Sequence, residues 1–297
     1  MRTAFIQTLI EEARRRDDVF LVVGDLGFSV IEPFAQEFPG RYLNAGVAEQ
    51  NMTGVAAGLA SEGWHVFTYS IANFPTLRCF EQIRNDVCYH RLPVTVVAVG
   101  AGMSYGSLGY SHHAVQDLAV MRTLPNITVL SPADPGEAKE SVQWLCAHPG
   151  PSYLRIGKAG EPHLHDLRGI TTGPLPVLPG TGDTALVATG SILKVALEAA
   201  RLAGTRGASP PVFSCPWLAP VERSFFQSLA GYRRLITLEE HVSAGGFASL
   251  LREHLPHSVE VVPMCIPHSM SGAVGSQQWL REQAGLTPQG VLERLDR

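Results

Sequence analysis

Residues 45–70 read AGVAEQNMTGVAAGLASEGWHVFTYS, and they hold both parts of the unit from which the fold is built. The first part is a helix dominated by small residues (Gly46, Ala48, Gly54, Ala56, Ala57, Gly58) that can pack closely on a neighbour. The second, WHVFTYS at 64–70, is a short apolar run of strand length, rich in β-branched and aromatic side chains. One carboxylate, Glu49, stands inside the small-residue run, just past the YLNAG turn. An ionised Glu in close packing is costly without a partner. Glu49 therefore needs something to touch.

The same alternation extends in both directions. VFLVVGDLG (19–27), LPVTVVAVGAG (92–102) and NITVLSPAD (126–134) read as further buried strands. TLRCFEQIRNDVCYHR (76–91) and PGEAKESVQWLCAH (135–148) carry helical spacing, and MRTAFIQTLIEEARRRDD at the start is an amphipathic helix with Phe5, Leu9 and Ile10 on one face. Continuous β-branched runs joined by helices predict an α/β fold with a parallel sheet covered on both faces. The ligand end of such a sheet lies where strands finish and glycine-bearing loops begin. Those loops are GDLGFS (24–29) and GAGMSYGSLGYSHH (100–113). Residues 158–182 are rich in Pro, Gly and Thr, so the reading is a first domain at 1–160, a linker at 161–182 and a smaller α/β domain at 183–297.

The chain has 297 residues and a formal charge of −4, with no basic run, which argues against nucleic acid or an anionic membrane as partner. No apolar stretch approaches a membrane span, and the first residues are too charged for a signal peptide. The five cysteines (79, 88, 146, 215, 265) are scattered, without a CxxC pair, and read as reduced thiols of a cytoplasmic protein.

Near a helix N-terminus an exposed Glu49 would simply be favoured by the dipole. Buried against a ring nitrogen, it would have a raised pKa and share a proton with that ring. Ser111 reads as a helix cap, and His112 and His113 as either a solvated pair or a pair returned to a site at the strand ends. The His-His spacing is not a metal-ligand pattern, and no G-x-S-x-G elbow is present. GDLG has Leu26 where a thiamin enzyme's GDG motif has glycine. Asn51, at a tempting distance for a magnesium ligand, lies within the Glu49 helix, so the match reads as coincidence.

Taken together, NAGVAEQNMTGVAAGLASEGWHVFTYSIANFPTLRCFEQIRND, LPVTVVAVGAGMSYGSLGYSHHAVQDLAVMRTLPNITVLSPADPGEA and PSYLRIGK resemble the C-terminal portion of transketolases. The resemblance covers essentially the whole chain: a pyrimidine-binding domain followed by the transketolase C-terminal domain. It implies that Glu49 hydrogen-bonds the aminopyrimidine of thiamin diphosphate, promoting the imino tautomer that takes the proton from the thiazolium carbon. It also implies that Phe74 stacks on the pyrimidine, with Ile71 and Leu77 in place of two further aromatics. Asp25 and Ser29 would lie beside cofactor and substrate, His112 at the donor, and Arg155 on a substrate phosphate.

The departures bear on the donor. The family loop reads like E-D-G-x-T-H-Q, so Leu108 replaces an Asp that recognises a sugar hydroxyl, His113 replaces a Gln, and Gly100 stands where a phosphate-binding His is common. The half that binds the diphosphate through Mg2+ is not in this sequence. The resemblance therefore implies the second subunit of a split enzyme that moves a two-carbon ketol unit from a sugar to an aldehyde. The implied partner is an N-terminal subunit that carries GDG and the magnesium ligands, in a two-plus-two assembly. An apolar face on the Glu49 and FEQIRND helices is expected to meet it. The alternative keeps the cofactor and decarboxylates a 2-oxo acid such as pyruvate, as in deoxyxylulose-phosphate synthase or the beta subunit of 2-oxoacid dehydrogenases.

Overall fold

The computed structural model describes residues 1–166 and 169–297; Leu167 and Arg168, inside the expected linker, lie outside the described residues. Numbered in chain order, the strands of the first sheet are β1 (Val19–Val23), β2 (Tyr42–Asn44), β3 (His65–Ile71), β4 (Val94–Val99), β5 (Thr128–Leu130), β6 (Ser152–Ile156) and β10 (Trp217–Ala219). They lie in the order β10-β5-β6-β4-β3-β1-β2, parallel throughout except that β10 runs against β5. The second sheet holds β7 (Leu175–Leu178), β8 (Thr184–Ala188), β9 (Val212–Ser214), β11 (Arg234–Leu238) and β12 (Glu260–Met264), in the order β12-β11-β8-β9-β7.

Side-chain alternation explains why the first sheet needs cover on both faces. In β1, Val19, Leu21 and Val23 join a core with Phe5 and Leu9 of α1 (Arg2–Arg15) and Val142 and Leu145 of α6 (Pro135–Ala147). Phe20 and Val22, pointing the other way, pack on Met52, Ala56 and Ala60 of α3 (Glu49–Ser61). Shorter helices α2 (Glu32–Glu37), α4 (Phe80–Gln82) and α5 (Asp117–Met121) fill the connections. The second sheet carries α7 (Leu193–Gly204), α8 (Arg223–Leu229), α9 (Phe247–His254), α10 (Gln277–Gln283) and α11 (Pro288–Leu295).

Several elements differ from the expectation. The FEQIRND segment is helical as expected, but α-helical only through α4 before it widens into a π-helix at Ile83–Cys88, whose Ile83, Val87 and Cys88 are buried. Residues 175–178, read as linker, form an edge strand antiparallel to β9, where Pro176 lacks an N–H to donate. The outward face of α3 is small and polar rather than apolar, showing Gln50, Asn51, Gly54 and Gly58. All five cysteines are free, and four are buried. Among the described residues, no helix is long and apolar enough to cross a membrane.

Candidate active site at the carboxyl ends of the first sheet

Glu49 opens α3, and its side chain is 1% exposed. Its Oε2 accepts a hydrogen bond from Arg78 Nη1 at 2.8 Å, and the Ser70 hydroxyl, at the end of β3, approaches Oε1 at 3.5 Å. Gly24, just past the end of β1, packs beside it: a side-chain carbon there would make ordinary contact with Glu49 Cγ, at 3.6 Å. The partner that the buried carboxylate demands is thus a half-exposed guanidinium of this chain.

Phe74, half-buried, stands beside this pair. The Arg78 guanidinium lies 4.8 Å from the centre of its ring, and the His112 ring meets it edge-on with centroids 5.2 Å apart. Asn73 holds the two loops together, its amide donating to the carbonyls of Ser111 (3.1 Å) and His113 (2.7 Å). Ser111 Oγ is 3.0 Å from His112 Nδ1. Partial burial, then the neighbouring His113, push the His112 imidazole below its usual range. The shift favours the uncharged imidazole, which keeps one ring nitrogen as an acceptor. Beyond His112 come the Tyr105 ring, at 6.4 Å, and Lys158, whose ammonium lies 5.5 Å from the Tyr105 ring centre.

The GDLGFS loop closes the other side. Asp25, Gly27 and Ser29 all take positive φ (55°, 98° and 65°), a tight loop that leaves Asp25 and Ser29 exposed. Asn44 clips it, donating to Asp25 Oδ1 at 2.9 Å while accepting from the Asp25 and Gly46 amides. Ile71 ends β3 half-buried, and Leu77 is exposed next to Arg78. Leu108 is 55% exposed in a short 3-10 turn. Gly100 has φ of 97°, and any side chain there would collide with the Tyr105 ring. A histidine has no room at that position.

Two expected substrate contacts are not available where the sequence put them. Arg155 is 2% exposed, its Nε and Nη2 donating to Asp117 at 2.7 Å and to the carbonyls of Ala114 (2.6 Å) and Glu240 (3.0 Å). It fastens the first sheet to the second and shows little surface to a phosphate. His113 is buried beneath its own loop, its Nε2 3.4 Å from the Gly106 carbonyl, and points away from the cluster. Sequence reasoning missed Arg78 and Lys158. Lys158 carried a signal: it is the first exposed residue after the buried β6 strand, at the ligand end of the sheet.

Comparison with known proteins gives the family. Residues 1–160 match the transketolase pyrimidine-binding domain family, and residues 175–291 the transketolase C-terminal domain family. The chain is 33% identical over 259 residues to one of the subunits of the apulose-4-phosphate transketolase of Phocaeicola vulgatus, covering 86% of this chain and 83% of that protein. It is 30% identical over 296 residues to the 6-deoxy-6-sulfo-D-fructose transketolase subunit SqwH of a Clostridium species, covering 98% and 92%. A 1-deoxy-D-xylulose-5-phosphate synthase of Geobacter sulfurreducens is 33% identical over 298 residues, but this chain spans 46% of it. Among solved structures, a split gene transketolase crystallised as an inactive beta4 tetramer superposes with a TM-score of 0.87 at 34% identity, over 98% of this chain and 95% of that one. The chain belongs to the transketolase family, and it matches a split-gene transketolase chain along nearly its whole length.

Proposed function

We propose that this chain supplies the pyrimidine side of a thiamin diphosphate site and, with a partner chain, transfers a two-carbon ketol unit between a sugar-type donor and an aldehyde. The observation that carries it is the buried Glu49 carboxylate in one cluster with Arg78, the Phe74 ring and His112, at the ligand end of a parallel sheet. The residues fit an aminopyrimidine: one buried acceptor and one flat aromatic face. They do not fit a diphosphate with magnesium. Leu26 interrupts the GD-G loop, and among the described residues no group of three His, Cys, Asp or Glu could hold a metal ion.

When bound, the cofactor supplies a nucleophilic carbon and an electron sink. Glu49 would hold the ring nitrogen's proton, Phe74 would fix the ring plane, and His112 would accept a proton at the donor end. Lys158 would take the anion-binding role expected of Arg155. Asp25 and Ser29 would line the entrance.

The diphosphate and Mg2+ would sit on a partner carrying GDG, in a two-plus-two assembly with the site between unlike chains. Phe28 and Leu108, on the two glycine-bearing loops, Leu77, next to Arg78, and Val47, two residues before Glu49, are all exposed. Large apolar side chains exposed on the segments that carry the site suit a surface to be covered. Subunit names among the relatives support the same arrangement. Free cysteines support a cytoplasmic setting.

The alternative donor is a 2-oxo acid. Leu108 favours it, because an alkyl side chain cannot accept a bond from a sugar hydroxyl. A donor panel on the reconstituted pair decides: turnover of ketoses or hydroxypyruvate supports two-carbon transfer, whereas turnover of pyruvate alone contradicts it.

A further inference from the structure

Arg78 occupies both groups that the proposed function reserves for an aminopyrimidine. Its Nη1 donates to Glu49 Oε2 at 2.8 Å, and its guanidinium carbon stands 4.8 Å from the centre of the Phe74 ring. A guanidinium is planar, delocalised and cationic, and stacks on aromatic faces while donating in its own plane. An aminopyrimidine protonated on its ring nitrogen would make the same pair of contacts. A pyrimidine seated on that same carboxylate oxygen and that same ring face excludes the guanidinium.

We infer that Arg78 is a built-in stand-in for the pyrimidine, filling its place in the chain and leaving when the cofactor enters. This rests on the pyrimidine reading of Glu49 and Phe74. The stand-in answers a folding problem. Without Arg78, the buried Glu49 carboxylate keeps only the Ser70 hydroxyl, at 3.5 Å. A buried charge so poorly satisfied is strongly destabilising.

The pair is also built to open. Glu49 is 1% exposed while the Arg78 side chain is 48% exposed, so the guanidinium regains water when it leaves. Its main chain stays anchored, because Gln50 Nε2 donates to the Arg78 carbonyl at 3.0 Å. Only the side chain has to move. Competition of this kind lowers apparent affinity by the fraction of chains already open. If roughly one chain in ten is open, binding weakens about tenfold.

The test uses the chain alone and the probe 4-amino-5-hydroxymethyl-2-methylpyrimidine, which has the pyrimidine without thiazolium or phosphate. Binding is followed by ligand-observed NMR. Arg78→Ala and Arg78→Gln should bind the probe about tenfold more tightly than wild type, and Glu49→Gln should not bind it measurably. Wild-type binding that neither Arg78 variant strengthens overturns the stand-in and leaves the pyrimidine reading intact. Binding to no variant overturns both. A thermal-denaturation cycle adds a readout free of ligand: Arg78→Ala should lower Tm markedly, and much less in the Glu49→Gln background. Equal losses in both backgrounds would show that the pair does not hold Glu49, which also overturns the stand-in.

Discussion

Two guanidinium–carboxylate pairs, alike in length, occupy opposite roles in this molecule. Arg78 meets Glu49 at 2.8 Å, and Arg155 meets Asp117 at 2.7 Å. In the first pair the cation is half in water and makes one side-chain bond. In the second, both partners are buried, and the Tyr153 hydroxyl donates to Asp117 while Arg155 also binds main-chain carbonyls of both halves. Burial pushes the Tyr153 hydroxyl well above its ordinary range, so it remains a donor. The number of partners and access to water, rather than the ion pair itself, separate a replaceable contact from a permanent one.

The sharpest way to break this comparison is Arg155→Ala. It strands a buried Asp117 charge, and the loss should be roughly 3–5 kcal/mol by chemical denaturation. A loss under about 1 kcal/mol, typical of a surface pair, would mean that the two pairs do not differ as described.

Glu239 extends the comparison to a buried carboxylate held by backbone alone, its oxygens accepting from the Phe247 and Ala248 amides at 2.6 and 2.9 Å. Burial outweighs these bonds and raises its pKa to about 7. A raised carboxylate pKa stabilises the fold at low pH, an effect fully present below the unfolded value and lost as pH rises through 7. The effect amounts to roughly 3 kcal/mol. His65 opposes it over nearly the same window: burial lowers its pKa to about 4, so its contribution appears as pH rises. The Glu239 effect is therefore read as a difference. Between pH 5 and 8, wild type should lose about 3 kcal/mol relative to Glu239→Gln; parallel curves would contradict this.

Glu49→Gln, in the reconstituted pair with saturating cofactor, should lower kcat by roughly 10²-fold or more. Wild-type turnover would remove Glu49 from the proton path. Lys158→Ala is the mildest of these changes. It should raise KM for a phosphorylated substrate about tenfold, as expected for one exposed charged contact, and leave an uncharged ketose unaffected. Equal effects on both would make Lys158 structural.

Much of the fold was legible because β-branched runs and helical spacing alternate so regularly: β1, β3, β4 and β5 stand where the sequence put them, whereas β2 lies in a segment read as a turn and β6 was not read as a strand. Glu49, Phe74 and His112 were legible from the family's spaced motifs, and the structure brings them within one cluster. The Arg155 phosphate contact was implied by the family resemblance alone, and the motif carries no sign of the buried partners that hold Arg155 here. Only the fold shows that Tyr153 and Arg155, two apart on one face of β6, both meet Asp117. Nor does local sequence announce that Trp217–Ala219 will cross over to pair with β5, since a three-residue strand is specified by its long-range partner. Arg78 was missed for a related reason. Its role depends on Glu49, 29 residues away.

The central claim is that this chain holds the pyrimidine end of a cofactor whose charged end is held by another chain. Calorimetry with thiamin diphosphate and Mg2+ tests it, first on the chain alone and then with a GDG-carrying partner. The account predicts weak binding and no turnover alone, with tight binding and turnover only in the mixture. Micromolar binding together with turnover by the chain alone would contradict it.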